Sequence, residues 1–264
     1  MTLIATAYLQ QSNQGRSEPD LEALAAELTR RGVPVARFRE KTLLRGRLPL
    51  SPTSFVAGTI PVVQSALRQL GVPVPQPVDY PAALRPWLHR RIWEDTLGEV
   101  RNRVYEAAQV APFFIKPKDQ LKRFAGRVVH TWNDLSDTYM VSRYCEVFCA
   151  EPVKWRAEFR AFVLRGEVLG IRHYNGNPDL PLDAAVVREA VRTLTETGSS
   201  PVAYALDFGV LLDGTTALVE MNDAYALGSY GLDPPLYTNF LLARWGELME
   251  QAESKHTLPE VRDE

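Results

Sequence analysis

Cysteine and histidine are scarce in this sequence, which limits the chemistry that it can support. Its two cysteines, Cys145 and Cys149, are separated by three residues and have no second pair. This pattern excludes a disulfide framework and does not match a zinc site. We interpret both as small packing residues. The four histidines are scattered without metal-ligand spacing, and no Gly-x-Ser-x-Gly motif is present, so neither zinc nor a hydrolase triad is expected.

Long apolar runs and an excess of one charge are also missing. No apolar run reaches the roughly 18 to 20 residues that cross a bilayer, and the first ten residues lack the features of a signal peptide. The 30 basic and 32 acidic residues give a net charge of -2, so no overall basic field attracts nucleic acid. A local basic cleft remains open. We expect a cytoplasmic protein with no membrane partner, and nucleic acid is a disfavoured partner.

The order of predicted elements indicates an α/β (α+β) fold. The first 70 residues alternate apolar strands with helices that end before glycines, at residues 3–9, 19–31, 33–38, 54–57 and 60–70. Five prolines between residues 72 and 86 exclude a helix interior there. Residues 88–108 are helical in composition, and strands dominate from residue 113, with later helices at 183–197 and 235–252. We therefore predict an N-terminal α/β domain at 1–75, a linker and helix at 76–110, and a larger unit at 111–264.

The clearest local signal is Asp213-Gly214 between two apolar segments, 204–212 and 216–222. An Asp-Gly pair between strands favours a two-residue turn, which makes Leu212 face Thr215 and Asp207 face Glu220. Asn222 then lies on the same side as Glu220 and diagonal to Asp207. The hairpin thus predicts three oxygen-bearing side chains that converge.

Facing carboxylates repel each other and need compensation. A hard cation is the simplest one, because Mg²⁺ prefers carboxylate oxygen and is commonly held by one or two carboxylates and by substrate phosphates. We therefore predict a magnesium site at Asp207, Glu220 and Asn222, with a nucleotide nearby. The alternative is a hydrated hairpin face.

Cations suited to phosphate occur in the strands of the same unit, although both familiar glycine-rich phosphate loops are absent. Lys116 ends the apolar strand Phe-Phe-Ile-Lys-Pro, where it can act as a point charge for phosphate or lie on the surface. Arg160 and Arg172 lie on the two arms of another hairpin. A strict two-residue turn places them on opposite faces, whereas a bulge at Gly166 places them opposite each other. We favour the bulge, which calls for an anion between the arginines.

Three segments taken in order, residues 113–117, 148–174 and 204–232, resemble an ATP-grasp domain. The chain is specifically similar to a compact bacterial and phage-associated ATP-grasp clade. The resemblance covers residue 113 to the C-terminal helix, and the preceding α/β unit resembles the small domain that usually precedes such a core.

The resemblance implies roles for individual residues. Lys116 corresponds to the lysine on the ATP phosphates, and the three predicted metal ligands correspond to those of the family. Arg160 and Arg172 correspond to arginines that neutralise the transferring phosphate. The remaining implied contacts are the adenosine hinge near 143–148 (Cys145, Glu146 and Val147), an arginine in place of an upstream phosphate-binding lysine (Arg90 or Arg91), a lid over the triphosphate (Lys118, Lys122 and Arg127), and acceptor-substrate contacts (Tyr225, Ser229 and Tyr230).

The implied activity is that of an ATP- and Mg²⁺-dependent carboxylate-amine ligase, which forms an amide through an acyl phosphate. Its partners would be a small-molecule or peptide carboxylate and an amine. Two alternatives stay open: a non-catalytic nucleotide-binding regulator with the same fold, and an RNA-processing protein, which the neutral charge disfavours.

Overall fold

The computed structural model describes residues 4–107, 110–118 and 123–256. The strands in these ranges are β1 (Thr6–Gln11), β2 (Val35–Arg39), β3 (Ser54–Ala57), β4 (Ile92–Thr96), β5 (Phe113–Pro117), β6 (Arg127–Val129), β7 (Glu146–Ala150), β8 (Ala157–Leu164), β9 (Glu167–Gly176), β10 (Ala203–Val210) and β11 (Thr216–Asp223). The α helices are α1 (Pro19–Arg30), α2 (Glu40–Leu44), α3 (Ile60–Gln69), α4 (Leu97–Ala107), α5 (Ala184–Glu196) and α6 (Pro234–His256). None of the described helices is both long and apolar enough to span a membrane.

The N-terminal unit is a three-stranded parallel sheet in the order β2-β1-β3. Parallel neighbours require a crossover, and α1 provides the crossover between β1 and β2. Both α1 and α3 contain a proline in the first turn and are followed by a glycine with positive φ, Gly32 at +77° and Gly71 at +73°. These glycines adopt the left-handed conformation that ends helices at low cost. The predicted order of strands and helices in this unit is confirmed, whereas the short α2 was not predicted.

One predicted helix is wrong in its first half. Residues 88–91 are irregular and residues 92–96 form β4, so the predicted helix begins only at Leu97. The cause is tertiary pairing, because β4 runs antiparallel to β7 from Ile92 opposite Ala150 to Thr96 opposite Glu146. A strand partner so far away in the sequence cannot be inferred from the composition of the segment itself.

Two four-stranded antiparallel sheets follow the N-terminal unit. The first antiparallel sheet has the order β4-β7-β5-β6, and the second has the order β11-β10-β8-β9. Residues 151–156 connect β7 in the first sheet to β8 in the second. The mixed α/β architecture with these antiparallel sheets confirms the predicted fold class, while the domain bounds at 75 and 110 remain predictions.

The hydrophobic core of the N-terminal unit is shared with α6. Trp245 of α6 is buried, and its indole Nε1 donates a hydrogen bond of 2.8 Å to the Ser54 carbonyl in β3. The Trp245 and Phe55 rings meet edge to face at 5.6 Å. On another part of α6, Phe240 contacts Phe162 of β8 at 5.3 Å between ring centroids. A single buried cluster therefore joins the N-terminal sheet, α6 and the second antiparallel sheet.

Candidate functional site

The β10–β11 hairpin places Asp207 directly opposite Glu220, as predicted. The route to this pairing is different, because the predicted facing of Leu212 and Thr215 is wrong. The Leu211 amide donates to the Thr215 carbonyl at 2.9 Å, so the loop contains three residues rather than two. A bulge in β11 between the partners of Asp207 and Phe208 then shifts the register back by one residue.

Asn222 completes the predicted group of three oxygen-bearing side chains. Its Nδ2 donates to Oδ2 of Asp207 at 3.1 Å and, less closely, to Oε1 of Glu220 at 3.4 Å. The amide nitrogen thus lies between the two carboxylates, which leaves the amide oxygen as the atom that could ligate a cation. The convergence predicted from strand register is present in the structure.

Arg160 compensates the charge of Asp207. Its Nε and Nη2 donate to Oδ1 and Oδ2 at 2.8 and 2.7 Å, and both side chains are buried. Burial raises the pKa of Asp207 to about 6 despite the hydrogen bonds from Arg160. Burial lowers the pKa of Arg160, but hydrogen bonding to Asp207 outweighs this and raises it. At neutral pH the pair is therefore ionised.

Lys116 compensates the charge of Glu220. Its Nζ lies 2.5 Å from Oε2 of Glu220 and 2.6 Å from Oδ2 of Asp79. The pKa of Glu220 is lowered, because the nearby Lys116 charge outweighs the effect of burial. Burial disfavours the charged form of Lys116, but Glu220, Tyr80 and Asp79 outweigh it and raise the pKa of the ammonium. The lysine is therefore fully charged and faces the predicted metal ligands.

Asp79 and Tyr80 were missed by sequence reasoning. Both belong to the proline-rich linker, and the Lys116 ammonium lies 4.6 Å from the centre of the Tyr80 ring. Burial raises the pKa of Asp79, although Lys116 opposes this shift. The only signal in the sequence was an acidic and an aromatic residue next to each other among prolines, which by itself does not indicate a site.

Arg160 and Arg172 are opposite each other, as predicted, but the bulge lies elsewhere. Arg165 and Gly166 form a strict two-residue turn with φ of +51° and +78°. The extra residue is Leu169 in β9, where the register shifts. Arg172 is turned away from Arg160 and donates through Nε to the Gly231 carbonyl at 3.0 Å. The anion predicted between the arginines is unnecessary here, because Asp207 already neutralises Arg160.

A cavity of 380 Å³ lies beside these groups. Its wall includes Asp79, Phe114, Lys116, Gly126, Glu220 and Asn222. Gly126 fits closely over the Phe114 ring, since a Cβ atom there would lie 2.6 Å from Phe114 Cζ. The cavity thus combines charged groups from three parts of the chain with an apolar wall, which is the usual composition of a small-molecule site.

Comparison with known families identifies the larger unit. A family model for an ATP-grasp domain, the second family of its clade, matches residues 87–240, more than half of the chain. The chain belongs to the ATP-grasp family. The predicted resemblance is thereby confirmed, and the ATP-grasp domain begins within the predicted linker. A comparison with curated proteins found no match.

Solved structures show the same ATP-grasp fold at low sequence identity. D-cycloserine synthetase DcsG is 14% identical, with 94% of this chain and 99% of that chain covered and a TM-score of 0.54. A RimK domain ATP-grasp protein from Sphaerobacter thermophilus is 17% identical, with coverages of 90% and 100% and a TM-score of 0.57. D-alanine–D-alanine ligase from Bacillus anthracis, complexed with ATP, is 14% identical, with coverages of 96% and 100% and a TM-score of 0.53.

The two arginines considered for an upstream phosphate contact have other partners in this ATP-grasp structure. Arg90 donates to three backbone carbonyls. Arg91 has an exposed side chain that lies 3.8 Å from Glu151 and 4.8 Å from the Trp93 ring. Arg91 and Trp93 line a different surface depression from the one that contains Lys116. The structure therefore does not bring either arginine to the Lys116 cavity.

The residues predicted to meet adenosine lie at the start of β7. The Cys145 carbonyl accepts from the Leu97 amide at 2.8 Å, and the Glu146 carbonyl accepts from the Lys118 amide at 3.0 Å. Val147 is paired within the first antiparallel sheet, and the Glu146 side chain is exposed. Their adenosine contacts remain predictions, and those of the two carbonyls would require a second acceptor interaction.

The predicted lid residues are only partly brought to the cavity. Lys118 pairs with Glu94 at 2.7 Å, Arg127 pairs with Asp137, and Lys122 lies outside the described residues. Residues 124–126 of this loop do line the cavity.

Of the three predicted acceptor contacts, only Tyr230 is exposed. Its ring lies 4.9 Å from the Arg160 guanidinium. Tyr225 is buried and accepts a hydrogen bond from Gln64 Nε2 at 2.9 Å. Ser229 is buried and donates to Asp20 through its amide at 2.7 Å and its hydroxyl at 2.6 Å. Tyr230 is therefore the member of the three that is placed to meet a substrate.

The donor set fits a hard divalent cation such as Mg²⁺. Two carboxylates and an amide oxygen are the ligand types that this ion accepts. Among the described residues, no group of three or more His, Cys, Asp or Glu side chains could hold a metal ion alone. The remaining ligands would therefore come from Asn222 and from phosphate oxygens, which is the usual arrangement for Mg²⁺ bound with a nucleotide.

Proposed function

We propose that the protein is an ATP- and Mg²⁺-dependent ligase that joins a carboxylate to an amine. The observation that carries this proposal is the convergence of Lys116, Glu220, Asp207, Asn222 and Arg160 around one cavity of an ATP-grasp domain. ATP supplies the phosphoryl group that activates the carboxylate as an acyl phosphate, which the amine then attacks with release of phosphate. The products are an amide, ADP and phosphate.

Glu220, Asp207 and Asn222 would hold the cation, and Lys116 would bind phosphate. Lys116 is shared between Glu220 and Asp79. When Glu220 binds a cation, its carboxylate no longer needs the ammonium, which becomes available to a phosphate oxygen. The exchange of partners keeps every charge paired, and Asp79 keeps Lys116 at the cavity wall during it.

Arg160 and Arg172 would stabilise the charge that develops during phosphoryl and acyl transfer. Arg160 is held in place by Asp207, so its position costs no reorganisation. Arg172 is bound only to backbone carbonyls and can turn toward an anion. This scheme needs no covalent nucleophile, because positioning and electrostatic stabilisation lower the barrier.

The acceptor end of the site is assigned to the surface around Tyr230. Its φ of +46° is uncommon for a residue with a side chain, and its ring packs against Tyr174 at 5.5 Å and against Arg160. Such conformations persist where the surrounding structure holds them and often mark functional positions. We propose a small-molecule or peptide carboxylate and an amine as the substrates.

Calorimetric titration of ATP with and without Mg²⁺ tests the nucleotide site. Wild type should show Mg²⁺-dependent binding, and Glu220→Gln should lose the Mg²⁺ dependence because the amide is a poor ligand for this ion. Glu189→Gln, on the exposed face of α5, is the matched control. A screen of acids and amines for ADP formation then tests ligation. No ATP binding by folded wild-type protein would contradict the proposal.

A second function is supported by the state of Asp207. Its two oxygens already accept from Arg160, and one also accepts from Asn222, so Asp207 is satisfied without a metal ion. A nucleotide-binding protein without turnover would retain this arrangement. Mg²⁺-independent ATP binding combined with no ADP formation across the screen would favour this function over ligation.

A further inference from the structure

The outer edge of β11 is bound by the linker instead of by another strand. β11 is the edge strand of the second antiparallel sheet, so its outward-facing backbone groups have no strand partner within the described part of the chain. Arg90 donates from Nη1 to the Leu218 carbonyl at 2.7 Å and from Nη2 to the Val219 carbonyl at 2.8 Å. On the other side of Glu220, the Met221 amide donates to the Asp79 carbonyl at 2.8 Å.

The two carbonyls bound by Arg90 are those of the bulge. Phe208 pairs with Leu218 and Asp207 pairs with Glu220, so Val219 is the extra residue. Successive side chains of a strand point to opposite faces, and a slip of one residue moves each side chain to the other face. The bulge at Val219 is therefore what brings Glu220, and not its neighbour, opposite Asp207.

Arg90 is itself held in place. Its Nη1 also donates to the Leu88 carbonyl at 3.0 Å, and its guanidinium lies 5.3 Å from the Trp155 ring. Trp155 lies directly over Gly209 of β10, where a Cβ atom would overlap the indole ring. The planar guanidinium is thus fixed by an aromatic ring and by carbonyls from two segments.

We propose that Arg90 is a positioning residue for the cation site, which acts by holding the bulge so that Glu220 faces Asp207 and Asn222. This inference rests on the proposed function, because it assumes that Glu220 binds the cation of Mg²⁺-ATP. Arg90 touches neither cation nor nucleotide in this role. Its effect is specific to the metal because Lys116, the phosphate contact, is carried by another sheet.

The test is ATP titration of Arg90→Lys in the presence of Mg²⁺ and in the presence of a chelator. Lysine keeps the charge but cannot reproduce the two parallel hydrogen bonds of the guanidinium fork. Loss of residues that orient metal ligands typically weakens metal binding by about 10-fold to 100-fold, so we expect a loss of that size for ATP with Mg²⁺ and less than about a twofold change without it. Arg85→Lys, an exposed arginine of the same linker, should match wild type in both conditions.

Arg90→Ala provides a second measurement. Added guanidinium ion should restore part of its Mg²⁺-dependent binding, because the ion can occupy the vacated position between the carbonyls. Wild-type affinity of Arg90→Lys with Mg²⁺, or an equal loss with and without Mg²⁺, would overturn the inference. Absence of Mg²⁺-dependent binding in wild type would instead refute the proposed function on which the inference rests.

Discussion

The buried pair of Arg160 and Asp207 leads to a quantitative prediction for single and double substitutions. Arg160 is 8% exposed and Asp207 is 2% exposed, so removal of either side chain leaves the other charge buried without its partner. Breaking a buried ion pair in this way typically costs about 3 to 5 kcal/mol. Arg160→Met and Asp207→Leu should each destabilise the protein by this amount, equivalent to a fall in Tm of roughly 6 to 20 °C for a chain of this size.

The double variant should be much closer to wild type than the sum of the two losses. The raised pKa of Asp207 shows that burial of this charge costs more than its pairing with Arg160 returns. Replacing both members of such a pair with apolar residues is often neutral or stabilising. Thermal and urea unfolding of wild type, both single variants and the double variant give the coupling free energy. Additive losses would refute the pairing of these two side chains.

Two further predictions concern residues outside the site. The hydrogen bonds from Arg30 and then from Arg31 lower the pKa of Glu27 from 4.5 to about 2, so the stability that Glu27 contributes is complete well above its ordinary pKa and is lost as pH falls toward the lowered one. Unfolding curves of Glu27→Gln should therefore show a flatter loss of stability across this range than wild type, whereas Glu196→Gln, in an exposed pair with Arg192, should not. Gly209→Ala should destabilise by about 1 to 3 kcal/mol because its methyl group overlaps Trp155. The loss should be smaller in a Trp155→Leu background, and an equal loss in both backgrounds would contradict this cause.

Local sequence patterns predicted the elements whose causes are local. The glycines at 32 and 71 end helices through their own backbone conformation, and Asp183 caps α5 by accepting hydrogen bonds from Ala185 and Val186. The facing of Asp207 and Glu220 was also predicted, but through a register that the structure corrects twice. A three-residue loop shifts the pairing by one residue, and the bulge at Val219 shifts it back.

The partners of the site residues were not predictable from local patterns. Lys116 contacts Asp79 in the linker and Glu220, which lies 104 positions away in the sequence. Arg90 contacts carbonyls 128 and 129 positions away. No local pattern in one sequence encodes such distances, so the sequence indicated which residues are chemically useful but not which of them pair. Strand β4 was missed for the same reason, because its partner β7 is distant in the sequence.

The burial of Trp245 against β3 has a consequence for synthesis on the ribosome. The strands and helices of the N-terminal unit emerge early, yet one of their faces is covered by α6, which is translated last among the described elements. Contacts of such long sequence separation form late in folding. Until α6 emerges, Phe55 and its neighbours present an uncovered apolar face on a nascent chain, where chaperones that bind exposed hydrophobic segments would find it.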